Sequence, residues 1–88
     1  MNFVAIIGIV ENKDVQTKNN SIITVKVEKP FVENENDEWY ELIKCEINNE
    51  DFKQEIEKLK KGDIVGIKGR IQSYKNFQNI LSERIQIF

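Results

Sequence analysis

Histidine is missing from this 88-residue chain, and cysteine occurs once, as Cys45. Those absences remove most catalytic constellations: no Ser-His-Asp or Cys-His pair, no histidine general base, and no imidazole or thiolate cluster for a metal ion. A single thiol forms no internal disulfide, which suits a reducing compartment. No apolar run approaches the length of a membrane span, so no membrane association is expected. The opening Met1-Asn2-Phe3-Val4-Ala5-Ile6-Ile7-Gly8 lacks the positive flank and cleavage site of a secretory signal; it reads as a buried first strand of a cytoplasmic protein. Of four glycines, Gly62, Gly66 and Gly69 fall in or beside a strand pattern and match no phosphate-cradling motif. Catalysis and a cofactor are therefore not expected. Binding is the default.

What is present describes one ordinary globular domain spanning residues 1–88, with 40% hydrophobic and 32% charged residues. A domain of this size buries only about 60% of its unfolded surface, so modest stability or self-association is expected. The net charge of -2 hides an asymmetry. Residues 1–57 hold six lysines against thirteen acids, whereas residues 58–88 hold seven cations against two acids. The last third is thus able to offer phosphate a local positive surface that the overall charge conceals, although a solvated lysine-rich face gives the same pattern.

The centre of the pattern is Leu59-Lys60-Lys61-Gly62-Asp63-Ile64-Val65-Gly66-Ile67-Lys68-Gly69-Arg70-Ile71-Gln72, where a helical period gives way to a strand. Upstream, Phe52, Ile56 and Leu59 recur at helical spacing, with Asn49 as the expected N-cap and Gly62 as a left-handed C-terminal cap. Downstream, Val65, Ile67 and Ile71 face inward and Lys68 and Arg70 outward. The first strand, about residues 2–11, is apolar on both faces, which fits the middle of a sandwich or a subunit interface, and Gly8 marks a bulge or a sharp curl. A polar turn is expected at residues 12–20. A second strand at 21–29 turns Ile23, Val25 and Val27 inward and Lys26 outward, and Pro30 ends it. Residues 33–38 form an acidic, solvated hairpin loop. A third strand at 38–47 carries Trp39, Glu41, Ile43, Cys45 and Ile47 on one face and Tyr40, Leu42, Lys44 and Glu46 on the other, with a bulge or strong twist expected. After a short connection at 73–79, a last strand at 80–88 offers Leu81, Ile85 and Ile87 to the core.

Three strands, a helix and two more strands make the element order of the OB-fold, an all-β five-stranded Greek-key barrel with an α-helix between strands 3 and 4, which binds oligonucleotides across strands 2 and 3. An SH3-like barrel or an α+β sandwich shares that order. The binding candidates are Trp39 and Phe31, placed to stack on a base or alternatively to cap the barrel, and Tyr74 and Phe77, which flank Lys75 in one loop. Lys26, Lys29, Lys68 and Arg70 are candidates for phosphate contact along a groove. Glu41, on the Trp39 face, would repel phosphate there. Cys45 reads as a small buried apolar residue.

Several of these stretches resemble the bacterial single-stranded DNA-binding protein family. Val4-Ala5-Ile6-Ile7-Gly8-Ile9-Val10 is similar to its opening strand, Ile23-Thr24-Val25 to its second, Glu38-Trp39-Tyr40-Glu41-Leu42-Ile43 to its third, and residues 59–72 follow its helix end and fourth strand. The resemblance implies base stacking by Trp39, by Phe31 and by Tyr74 or Phe77. Cys45 falls where the family has a further stacking ring. It also implies homo-oligomers, dimers or tetramers, formed through the first strand, a nucleoid-associated role in DNA replication, recombination or repair, and replication or repair proteins as partners. The hairpin loops at 30–38 and 73–79 are shorter than the family's, and the acidic-tipped tail is expected to be missing beyond Phe88. Two rival readings remain: a primosomal replication protein-like OB module, and an OB module that binds protein and not DNA.

Overall fold

In the computed structural model, which describes every residue except Val32, Glu33 and Asp37, five strands close into one barrel in the order β1-β2-β3-β5-β4. The strands are β1 (Val4–Val15), β2 (Asn20–Glu28), β3 (Tyr40–Asn48), β4 (Ile64–Ser73) and β5 (Gln78–Ile87), with α1 (Lys53–Lys58) between β3 and β4. All neighbours are antiparallel except β3 and β5, which meet in parallel and close the barrel. This is the OB-fold topology. The expected acidic loop at 33–38 lies partly outside the described residues.

Alternation builds the core. Val10, Ile23, Val25, Cys45, Ile47, Val65, Ile67 and Ile80 point into the barrel and are buried. Each large aliphatic among them contributes about 1.5–3 kcal/mol through the apolar surface it removes from water. Leu59, just past α1, is fully buried, and Phe52 and Ile56 pack against the same cluster, so the helical segment plugs one end. Six residues do not hold a helix in water, so this packing is what maintains α1. Lys13 assists by donating from Nζ to the carbonyls of Ile56 and Leu59, both at 2.9 Å.

Several local expectations are corrected. β1 continues to Val15 because the register shifts between Val10 and Asn12, which lets Asn12–Val15 pair with Ser21–Thr24. The turn thus shrinks to residues 16–19, closed by the Thr17 hydroxyl accepting from the amides of Asn19 and Asn20. The bulge therefore sits two to three residues beyond Gly8. Gly8 lies just before Ile9, where β1 passes from β4 to β2, and a side chain there would meet the Lys26 carbonyl and, at 2.7 Å, Val25 Cγ1. The third strand carries no bulge against β2, since their ladder runs unbroken from Asn20↔Asn48 to Glu28↔Tyr40.

Asn49 does not cap α1. Its Oδ1 accepts from Ser21 Oγ at 2.7 Å, while the Asn48 side chain takes the amides of Glu50 and Asp51. Gly62 is not a helix cap either, because α1 ends four residues earlier. It has φ +97° in a turn closed by Asp63 N donating to Lys60 O at 3.0 Å, a position that favours glycine. In β5 the buried aliphatic is Ile80, with Leu81 only half-buried. A register shift opposite Lys68 and Gly69 pairs Gly69 with Ser82 and Lys68 with Arg84, so Glu83 is extra and inward parity changes from Ile80 and Ser82 to Ile85 and Ile87. Ile71 has inward parity but is exposed, because β4 has reached the barrel end away from α1.

Candidate nucleic-acid interface

The outer face of β2 and β3 is set by what lies beneath it. With Ile43, Cys45 and Ile47 turned to the barrel interior, Tyr40, Leu42, Lys44 and Glu46 must turn outward. They stand beside Glu28, Lys26, Thr24 and Ile22 in turn. At about 3.3 Å per residue, Tyr40 and Glu46 mark the ends of a face about 20 Å long.

At one end, Lys26 places its ammonium 4.2 Å from the centre of the Tyr40 ring. Trp39 lies immediately before β3 and is 62% exposed; the Lys29 amide donates to its carbonyl at 2.8 Å and so extends the ladder by one step. Trp39, Tyr40, Lys26, Glu28, Ile7 and Ile9 line one open groove of about 390 Å³. Phe31, beyond Pro30, is 67% exposed and is not among the groove's lining residues.

At the other end, the β4–β5 hairpin folds against β3. Tyr74 and Phe77 close it by a 2.7 Å bond from Tyr74 N to Phe77 O, and their rings stack with centroids 4.9 Å apart and planes 25° from parallel. Lys75 is exposed between them. The Tyr74 hydroxyl donates to Glu46 Oε1 at 3.2 Å and Gln72 Nε2 to Glu46 Oε2 at 3.1 Å, so both carboxylate oxygens are held. Loss of hydration, then the adjacent Glu46 charge and hydrogen bond, raise the Tyr74 hydroxyl above its ordinary pKa.

Lys68 and Arg70 stand elsewhere. Lys68 is opposite Ala5 on β1 and Arg84 on β5, whereas Lys26 meets β1 at Ile9. Four residues of β1, about 13 Å, therefore separate the two cationic positions. Trp39, Lys26 and the Lys29 backbone come together, Tyr74, Lys75 and Phe77 form a second group, and Lys68 with Arg70 forms a third. Cys45 belongs to the core, and burial pushes its thiol up to about 12. It therefore offers no position for a stacking ring on the outer face.

The rings conspicuous in the sequence point to the face of Trp39 and not to Tyr40, Leu42 and Lys44. The signal was there: residues 43, 45 and 47 are the more apolar set, and their burial puts the even-numbered residues outside. Among the described residues, no three His, Cys, Asp or Glu side chains gather to hold a metal ion, and no helix is long and apolar enough to cross a membrane.

No family profile and no curated protein sequence matches the chain. Solved structures do. A small single-stranded DNA-binding protein from Mycoplasma pneumoniae superposes with a TM-score of 0.72 at 19% identity, over 98% of this chain and 92% of that one. The chain shares its OB-fold. The dimeric N-terminal domain of PriB from Thermoanaerobacter tencongensis gives 0.67 at 20% identity, over 99% and 96%. The S. pombe Stn1–Ten1 complex gives 0.74 at 12% identity, over 100% of this chain but 59% of the matched one.

Proposed function

We propose that this protein binds single-stranded DNA without reading a defined sequence, in the cytoplasm, as a non-catalytic component of replication, recombination or repair. The observation that carries the reading is the outer face of β2 and β3, with Tyr40 and Lys26 at one end beside a groove that Trp39 also lines, the stacked Tyr74 and Phe77 at the other end, and Lys44 between. Rings at the two ends of such a face accept unstacked bases several nucleotides apart, each worth about 1–3 kcal/mol, while ammonium groups track the phosphates. Phe31, Lys29 and Lys75 extend that path at the loops, and Lys68 and Arg70 take phosphates that continue over β4. The fold it shares with small single-stranded DNA-binding proteins supports the same reading.

We also assign self-association to β1. From Val4 to Ile9 this strand pairs with β4, and it meets β2 only from Ile9 onward, so among the described residues the other edge of its first half has no strand beside it. Ile7 on that half is 65% exposed, and Phe3, just before the strand, is 66% exposed. An unpaired edge with apolar side chains is a template for a second copy. The N-terminal domain of PriB, which has the same fold, is dimeric.

The test is a titration with oligothymidine, followed by fluorescence of Trp39, the one tryptophan, at low and moderate salt. Quenching that weakens as salt rises supports stacking plus phosphate contact. No quenching and no mobility shift at low salt would overturn it, leaving an OB module that binds protein.

A further inference from the structure

The carboxylate of Glu46 is out of place on a surface that attracts phosphate. Its position is nevertheless built: Gln72 and Tyr74 each hold one of its oxygens, at 3.1 and 3.2 Å, and Glu46 is half-buried between them. A phosphate brought here would be repelled. A base edge that donates hydrogen bonds would not.

We infer that Glu46 makes the Tyr74–Phe77 position a subsite that favours guanine, an inference that rests on the proposed single-strand binding. The Tyr74 hydroxyl touches the carboxylate, so a base laid over the ring pair brings its edge to Glu46. A carboxylate has two oxygens and about four lone-pair sites, of which the observed bonds use two, leaving an acceptor on each oxygen. Guanine offers two parallel donors on one edge, N1–H and N2–H, which match that pair of acceptors. Cytosine and adenine each offer one exocyclic amino group to it. Thymine offers only N3–H, flanked by carbonyl oxygens that face the carboxylate unfavourably. The subsite therefore biases which base stacks at the hairpin, while the Trp39 end remains indifferent because every base has a stacking face.

The experiment compares three oligomers of equal length in lithium buffer: oligothymidine, the same chain with guanine at every third position, and the same with hypoxanthine in place of guanine. Hypoxanthine keeps N1–H and lacks the N2 donor. The guanine oligomer is expected to bind about fivefold more tightly than oligothymidine, with hypoxanthine in between. Glu46→Gln, which replaces one acceptor by a donor, should collapse the three affinities together. Equal affinities for the three oligomers, or a guanine preference that survives Glu46→Gln, would overturn the subsite and leave single-strand binding intact. Failure of all three oligomers to bind at low salt would overturn the proposed function, and the subsite with it.

Discussion

Lys26 lies over the face of Tyr40, its ammonium 4.2 Å from the ring centre, on adjacent strands. The ring's negative face attracts the cation by about 0.5–1 kcal/mol at an exposed site, and the contact holds the lysine along the groove that Trp39 also lines. Lys26→Gln should therefore weaken oligothymidine binding and lower the slope of log affinity against log salt by about 1, because one phosphate contact is removed. Tyr40→Leu keeps the charge and should leave the slope nearly unchanged while affinity falls by about 1 kcal/mol. An unchanged slope in the lysine variant would remove Lys26 from the phosphate path.

Gly69 and Gly66 look alike in the sequence and differ in space. A side chain at Gly69 would run into the Leu81 carbonyl, backbone that is fixed by the register shift in β5. At Gly66 the nearest atom is Phe88 Cε2 at 3.2 Å, the end of a side chain that is 64% exposed and free to turn. Gly69→Ala is expected to cost about 1–3 kcal/mol, as overpacking does, and Gly66→Ala well under 1 kcal/mol. Urea unfolding of the two variants makes the comparison; equal midpoints would contradict the close approach.

These two glycines also mark how far the sequence could be read. Element order was legible because Val65 and Ile67, or Ile23 and Val25, alternate cleanly and because Phe52, Ile56 and Leu59 keep a helical period. Register was not, since both shifts, after Val10 and opposite Lys68, are set by a neighbouring strand and not by any local signal. That is why alternation alone selects Leu81 for the core in place of Ile80. The candidate site is legible only in part: Trp39, Tyr74 and Phe77 stand out as rings and are exposed, while outward parity groups Lys68 with Lys26 although β1 holds them apart.

The unpaired half of β1 gives a prediction about assembly. Ile7→Glu puts a charge on the exposed apolar face without touching the inward set of buried Val10 and half-buried Val4 and Ile6. Sedimentation should show the parent chain as an oligomer and the variant as a monomer with an unchanged circular dichroism spectrum. Oligomers that survive this change would move the contact to another surface.

Cys45 provides the pH dependence. Its thiol is fully buried between Ile43 and Ile47 on the inner face of β3, and desolvation raises it from an ordinary 9.0 to about 12. The folded protein therefore binds this proton more tightly than the unfolded chain does. Below pH 9 both states keep it and stability is unaffected. Between pH 9 and 12 the unfolded chain releases it while the fold cannot, so stability falls with rising pH by about 1.4 kcal/mol per unit in mid-window. Other groups titrate in the same range, and Cys45→Ala separates them. The alanine variant should be less stable at neutral pH by the loss of a packed sulfur, and the difference from the parent should shrink steadily as pH climbs past 9. Two stability curves that stay parallel across that window would mean that the thiolate is tolerated in the barrel, and a thiol reagent should then label the folded protein quickly at pH 10 rather than at the rate of unfolding.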